Sequence, residues 1–577
     1  MYDSHSGKVS KRIRAPLCRL PLFTLFRPTS SPQFPRVYMH PCLAIPELVE
    51  RILSFLEPSN NYDHHAVPSY LEPSDNCTSL AVLAHTARIF HKPALASLWR
   101  SQTGLSNILR SLPPDLCRAD VDKRDLYRRD SKSVFRILRP IEASDWERAH
   151  LYYASHVREF SNQPTYTNRY STIRFSYSSI YAVLALSFVD GGIFPNLTHL
   201  DWTAYDEDND FVRIHLFLAL TLTHIKMPCR EPAHSAILSL LPQKCPSLKD
   251  VVISFGHEEL SIVASNNTTK FIRGLFCVES LTIHTLNMVS LLHLARLSSL
   301  RYLSVRGLPD ALSEADLASN VNLFPSLRQL EIRDKHMPST IRLLEMCSDA
   351  ALKSFKLEIA PSLSLGPFLS ALTKSQRSSL THLEIGTERP FGDDHVFSFE
   401  CLRPTLDLVN LVDVKIMLNL ESDWNDEAVR QMAEAWPRLR NLELDGFGGR
   451  SLTTLRCLRL LARCCPELEN VSMNFNLWII PAATQGTPVH SRLRSLGVRR
   501  SMISTSQTIG VARFISAMFP NVKTVENHWY YGEREKAICS LWKEVETWIP
   551  ALVQVREEAK SWALHSGGCI AQDIDVI

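Results

Sequence analysis

Residues 297–305 read Leu297-Ser298-Ser299-Leu300-Arg301-Tyr302-Leu303-Ser304-Val305, and this stretch decides the fold because its apolar pattern returns along more than half of the chain. The core of the pattern is Leu-x-x-Leu-x-Leu with apolar replacements. It begins at Leu197, Leu222, Leu248, Val278, Leu300, Leu327, Leu352, Leu380, Leu411, Leu439, Leu468, Leu493 and Val522. The mean step is about 27 residues, within the range expected when one strand and one return helix make up a repeating unit. A shorter match, Val157-Arg158-Glu159-Phe160, precedes these after an irregular step. In each copy the alternating residues point inward from a short strand, and no copy can bury its apolar face alone, so the copies must stack.

Six junctions repeat a second signal, an aromatic residue or cysteine followed by proline: Phe194-Pro195, Cys245-Pro246, Phe324-Pro325, Trp436-Pro437, Cys465-Pro466 and Phe519-Pro520. Proline has no N–H and disfavours helix in the residue before it, so each junction should end a helix and turn the chain into the next strand. The fold class expected is α/β, a leucine-rich-repeat solenoid: a horseshoe of parallel strands with outer helices, preceded by a small all-α module. Residues 151–530 form the solenoid. Beyond it, Ile538, Leu541, Trp542, Val545 and Trp548 share a helical face, with a break expected at Pro550, so 531–577 are read as capping helices and tail.

Upstream, Ile45-Pro46-Glu47-Leu48-Val49-Glu50-Arg51-Ile52-Leu53-Ser54-Phe55-Leu56 has proline in the first turn and apolar residues at helical spacing. Residues 57–79 are rich in Pro, Ser, Asn and Asp and read as an inserted loop. Two more short helices hinged near Pro93 are expected between Leu80 and Trp99, completing a module over 40–100, with a helical linker over 101–150.

These residues resemble the F-box proteins, most closely fungal ones. The match runs through Ile45-Pro46-Glu47-Leu48, Ile52, Leu53 and Leu56, then Leu80, Leu83, Arg88 and Leu98-Trp99; the insertion after the first helix departs from the basic pattern. With the repeats, the resemblance is to F-box leucine-rich-repeat proteins. It implies the substrate-recognition subunit of an SCF-type cullin-RING ubiquitin ligase, with Ile45, Pro46, Leu48, Ile52, Leu53, Leu56, Leu80 and Trp99 binding a Skp-family adaptor or supporting that contact. Through the adaptor it would reach a cullin, and the solenoid would hold an unknown target protein. The alternative is a non-catalytic interaction scaffold without a ligase partner, in which the helices cap the first repeats. A GTPase-activating solenoid is a third reading, disfavoured by the F-box-like front. The two leading readings differ in whether the stripe on residues 45–56 is open to solvent or buried against 100–160.

The residue between the last two apolar positions of each repeat should project from the concave side of the sheet: Asp201, Lys226, Val252, Thr282, Ser304, Glu331, Lys356, Glu384, Lys415, Glu443, Ser472, Gly497 and Glu526. Signs alternate along this series. With Tyr302, Arg306, Arg333, His382, Asp413 and Asp445 beside it, the face suits a protein partner better than nucleic acid. Partner-binding candidates are Tyr302, Arg306, Glu331, Arg333, Lys356, Glu384, Lys415 and Glu443.

Charge supports that choice. The chain has 577 residues, with 63 Lys and Arg against 60 Asp and Glu. Seven of the basic residues (Lys8, Lys11, Arg12, Arg14, Arg19, Arg27, Arg36) oppose only Asp3 in the first 38, leaving the remainder slightly acidic. Residues 1–39 are read as a disordered basic leader, with a mitochondrial presequence disfavoured by prolines 16, 21 and 28 and Met39 standing as a second possible start. The fourteen cysteines contain no Cys-x-x-Cys pair, so a reducing, intracellular setting, cytoplasmic or nuclear, is expected. No catalytic motif, cofactor, metal or membrane-spanning stretch is expected. Gly446-Phe447-Gly448-Gly449 reads as a turn, and Asp63-His64-His65 and Asp393-Asp394-His395 as solvated loops.

Overall fold

The computed structural model describes residues 45–56, 75–121, 133–162, 175–176, 181, 183–185, 192–202, 208–229, 234–255, 262–309, 323–334, 337–359, 365–387, 396–418, 421–445, 451–482, 489–527 and 533–565. The expected leader 1–39, most of the 57–79 loop, Asp63-His64-His65, Asp393-Asp394-His395 and Gly446–Gly449 lie outside them.

The chain opens with three helices: α1 (Pro46–Ser54), α2 (Asp75–Thr86) and α3 (Arg88–Arg100). Pro46 sits in the first turn of α1, where its missing N–H costs nothing. The break between the later helices falls at Ala87, whose backbone is extended (φ −150°, ψ 148°), and Pro93 lies within α3. This corrects the expected hinge, and α2 starts five residues before Leu80. Val49, Leu53, Leu80, Ala84 and Ala94 form the module's own core.

α3 leads without a loop into β1 (Ser101–Thr103), the first strand of the main sheet. α4 (Ser106–Ser111), β2 (Cys117–Val121), β3 (Ser133–Ile137) and α5 (Ala143–Tyr152) follow, then β4 (Glu159–Ser161) and β5 (Phe175–Ser176). The strands of the regular array are β6 (His199–Asp201), β7 (His224–Cys229), β8 (Asp250–Phe255), β9 (Ser280–Thr285), β10 (Tyr302–Gly307), β11 (Gln329–Asp334), β12 (Ser354–Ile359) and β13 (His382–Thr387). After the short β14 (Val396–Phe397) come β15 (Asp413–Met417), the short β16 (Glu421–Ser422), β17 (Asn441–Asp445), β18 (Asn470–Ser472), β19 (Ser495–Arg499) and β20 (Thr524–Asn527). Fifteen of them pair in the order β1-β4-β6-β7-β8-β9-β10-β11-β12-β13-β15-β17-β18-β19-β20. Every neighbouring pair in that order is parallel, which makes the chain an α/β solenoid of the leucine-rich-repeat type.

The span 101–150, expected as a helical linker, contains the helix α4 and most of α5 but also β1 and the antiparallel pair β2 and β3. Its Leu105, Ile108, Leu109, Leu112, Leu116, Trp146 and Ala149 belong to one core that continues to Ile549. β1 is only three residues long and its repeat lacks the full apolar pattern, so a period search passes over it.

Inward positions such as Leu200, Ile225, Leu303, Leu330, Leu383 and Leu442 are buried in register with one another. All six junction residues, Phe194, Cys245, Phe324, Trp436, Cys465 and Phe519, are fully buried. Four of them end helices with nearly the same backbone, φ from −118° to −132° and ψ from 66° to 77°, outside the helical region that the proline that follows disfavours. Burial pushes the Cys245 and Cys465 thiols up to about 12, so these cysteines behave as small packing groups.

One continuous helix, Glu533–His565, closes the far end and carries Pro550 inside it, where a break was expected. Ile538, Trp542, Val545 and Ile549 are buried against the last repeat, and that contact outweighs the roughly 3 kcal/mol that an interior proline costs. Trp548, expected on the buried face, is 42% exposed. Glu546 accepts a hydrogen bond from the Val525 N–H (2.8 Å), satisfying a donor on the edge strand β20.

Candidate functional site

Two surfaces collect the residues singled out above. The first is α1. Its inner face packs Val49 and Leu53 on α2 and α3, while Ile45 (45% exposed), Leu48 (42%), Ile52 (45%) and Phe55 (76%) stand outside as an unbroken apolar stripe, with Pro46 exposed at its start. The spacing of positions 45, 48, 52 and 55 keeps them on one helical side. Phe55 was absent from the expected set, although its place three residues after Ile52 was the available signal. Leu53 and Leu80 are fully buried and hold the module together, so of the two expected roles theirs is to support the exposed positions. Leu56 is half-buried against the same small core. Trp99 packs at a tilt against Tyr153 with ring centroids 4.5 Å apart and lies on the solenoid core, which makes it the joint between module and array. This division between exposed and supporting positions has one cause: a helical period names the apolar positions, and only the packed neighbours decide which of them are covered.

The second surface is the outward row of the sheet. Asp201, Lys226, Val252, Thr282, Ser304, Glu331, Lys356, Glu384, Lys415, Glu443, Ser472, Gly497 and Glu526 are direct partners on successive strands, so the thirteen positions form one ladder. Because unlike charges alternate, they pair with one another: Lys226 with Asp201 (3.8 Å), Lys356 with Glu384 (3.3 Å) and Glu331 (3.9 Å), and Lys415 with Glu443 (3.5 Å). Arg333 adds contacts to Glu331 (3.2 Å) and Glu358 (2.7 Å), and the Tyr302 hydroxyl donates to Glu331 (2.8 Å). Burial and the Glu331 carboxylate beside it push the Tyr302 phenol up to about 12, so it stays a donor. His382 and Asp413 meet at 2.5 Å. Of the eight partner-binding candidates, all but Arg306 and Arg333 line a single groove across β10 to β17; those two line an adjoining one with Tyr302 and Glu331.

Two features of this face were not read in the sequence. Arg499 is 3% exposed, has a positive φ (45°) at an irregularity in β19, and reaches across β18 to Glu443, Asp445 and the Ser472 hydroxyl. A Cβ at Gly497 would overlap Ser472, so glycine is required where the strands approach. A glycine in a row in which every other position carries a side chain was the signal. The other feature is a pair of stacked imidazoles, His199 and His224, at the opposite end.

Among the described residues no group of three or more His, Cys, Asp or Glu side chains is placed to hold a metal, and no helix is long and apolar enough to cross a membrane.

No family model and no curated protein matches the sequence. Among solved structures, the chain is similar to the crystal structure of the Rad7 and Elc1 complex in yeast, at 13% identity over 64% of this chain and 74% of that one, with a TM-score of 0.30. A likeness that loose assigns no function.

Proposed function

We propose that the chain is the substrate-recognition subunit of an SCF-type cullin-RING ubiquitin ligase inside the cell, in which α1 docks on a Skp-family adaptor and the concave face holds a target protein. The observation that supports it is the apolar stripe of Ile45, Leu48, Ile52 and Phe55, left outside a helix whose other side is already packed. A stripe that served only as a cap would be buried against residues 100–160. On this reading the chain makes no covalent bond itself. It raises the effective concentration of a target lysine near a ubiquitin-loaded enzyme held elsewhere in the assembly.

A pull-down with purified Skp-family adaptor tests this, comparing the unaltered chain with an Ile52→Ser, Phe55→Ser double variant. Both positions are exposed, so the variant should fold as well as the parent. Binding by the parent that the variant loses supports the receptor; no binding by a folded parent removes it.

The scaffold reading also has an observation in its favour. α3 continues directly into β1 and Trp99 packs on the solenoid, so the module does cover the first strand. On that reading the stripe binds no adaptor, and the same pull-down separates the two.

A further inference from the structure

The tripeptide Thr-His-(Leu/Ile) opens three strands, at Thr198-His199-Leu200, Thr223-His224-Ile225 and Thr381-His382-Leu383. In each, the threonine hydroxyl lies against the carbonyl of the preceding repeat: Arg158 at 2.9 Å, Thr198 at 3.1 Å and Lys353 at 2.9 Å. The same hydroxyl oxygen also contacts Nδ1 of the following histidine at 2.9, 2.8 and 2.8 Å. A hydroxyl has one proton. Giving it to the carbonyl, which otherwise would face an oxygen with no hydrogen between, leaves Nδ1–H as the donor to the threonine. In a neutral ring this tautomer puts the remaining lone pair on Nε2.

At His382 that second nitrogen lies against the Asp413 carboxylate, a contact that needs a hydrogen between the two atoms and leaves no free acceptor there. At His199 and His224 it does not. Those two residues are paired across β6 and β7, and their rings stack at 3.9 Å with planes 9° apart. Among the described residues neither Nε2 has a hydrogen-bond partner. The stack holds two acceptor nitrogens side by side, and parallel lone pairs do not converge on a single metal ion. Glu159 and Asp250 occupy the same row on the strands either side, giving carboxylate, imidazole, imidazole, carboxylate across four consecutive strands. These four residues, with Asp201 and Lys226, line one open groove. Arg100 faces Glu159 (3.5 Å), Lys226 faces Asp201 (3.8 Å) and Lys249 faces Glu279 (3.0 Å), whereas Asp250 has no ion-pair partner among the described residues and one of its oxygens is buried unpaired.

We propose that the groove across β4, β6, β7 and β8 is a binding site for an arginine side chain of the target, its forked N–H groups donating to the Nε2 atoms of His199 and His224 and its charge offset by Glu159 and Asp250. Arginine fits better than lysine because a planar guanidinium presents two parallel N–H bonds, and a flat cation also lies well between carboxylates. This deepens the reading of the concave face as a target-binding surface, but it uses neither α1 nor an adaptor, so it can fail or stand separately from the ligase assignment. Burial and the neighbouring His224 hold the His199 imidazole below its ordinary value, which favours the neutral, accepting ring.

The test uses the full chain with isotope-labelled histidine rings, titrated with acetyl-Gly-Arg-Gly-amide and with the matched lysine and norleucine peptides. The arginine peptide should shift the His199 and His224 ring signals saturably and bind about fivefold more tightly than the lysine peptide. Binding should weaken about tenfold between roughly pH 7.5 and 5.5, because a proton on Nε2 turns the acceptor into a cationic donor. A His199→Phe, His224→Phe variant keeps a stacked pair but removes both acceptors, and should lose the preference for arginine over lysine. The pH series on the unaltered chain carries the same information should that variant not fold. Equal binding of the norleucine peptide, an unchanged preference in a folded variant, or tighter binding at low pH would overturn the proposal.

Discussion

The two ends of the described chain bury apolar residues with opposite thoroughness. In the array, inward positions such as Leu303, Leu330 and Leu442 are hidden by strands on both sides and helices behind, and one core runs from Leu105 to Ile549. Among its described residues the α1–α3 module has five buried apolar residues in its core and leaves four large ones, Ile45, Leu48, Ile52 and Phe55, in solvent on a single helix. A repeat has two neighbours to cover it, whereas α1 has packing partners on only one side. The array also leaves large apolar residues outside, such as Leu220, Phe276 and Trp478, but on α1 four share one helical side, and a contiguous exposed stripe is the arrangement that suits a contact surface.

The contrast can be broken most forcefully in the array. Trp436→Ala empties a fully buried site and frees the Thr405 carbonyl that its ring nitrogen reaches (3.1 Å). It should cost about 4 kcal/mol in urea unfolding. Next comes Arg499→Ala, which removes a buried guanidinium from between Glu443 and Asp445, leaves Lys415 as the cation beside Glu443, and should cost about 3 kcal/mol in the same measurement. Leu53→Ala should cost about 2.5 kcal/mol, felt locally. Its signature is faster amide hydrogen exchange in residues 45–100 with protection beyond β4 unchanged, because a small core opens as its own unit. Equal loosening of the array would show that module and solenoid are one cooperative body.

The smallest effect is expected on the acid limb of stability. Hydrogen bonds from Arg139 (2.7 Å to each oxygen) and from the Glu142 N–H hold the Asp145 carboxyl below its ordinary 3.8. A depressed carboxyl contributes stability above its unfolded value, and that contribution is lost as pH falls through the folded value. Asp145→Asn should therefore flatten the decline of urea midpoints below about pH 4 and do nothing comparable near neutrality.

Much of this was legible before any coordinates. The thirteen repeat starts, the six aromatic-or-Cys–Pro junctions and the outward ladder from Asp201 to Glu526 follow from local rules, since strand alternation and proline sterics act within a few residues. The first strand, Ser101–Thr103, was not legible, because three residues carry too little pattern to register as a period. Pro550 misled for a related reason: its local cost is real, but Trp542, Val545 and Ile549 bury against a repeat whose strand, Thr524–Asn527, lies well upstream.

At the candidate sites the division is the same. The sequence by itself determined that a repeat solenoid forms, which side of each strand faces inward, and that α1 carries an apolar stripe. Only the tertiary structure decided that Leu53 and Leu80 are covered while Phe55 is not, that Lys356 is neutralised from both sides, that Arg499 lies flat across β18, and that His199 and His224 stack. Each of those outcomes depends on side chains about 25 residues or more apart in the chain, or on different helices, being brought within a few ångströms by register and packing, and no local propensity encodes that distance.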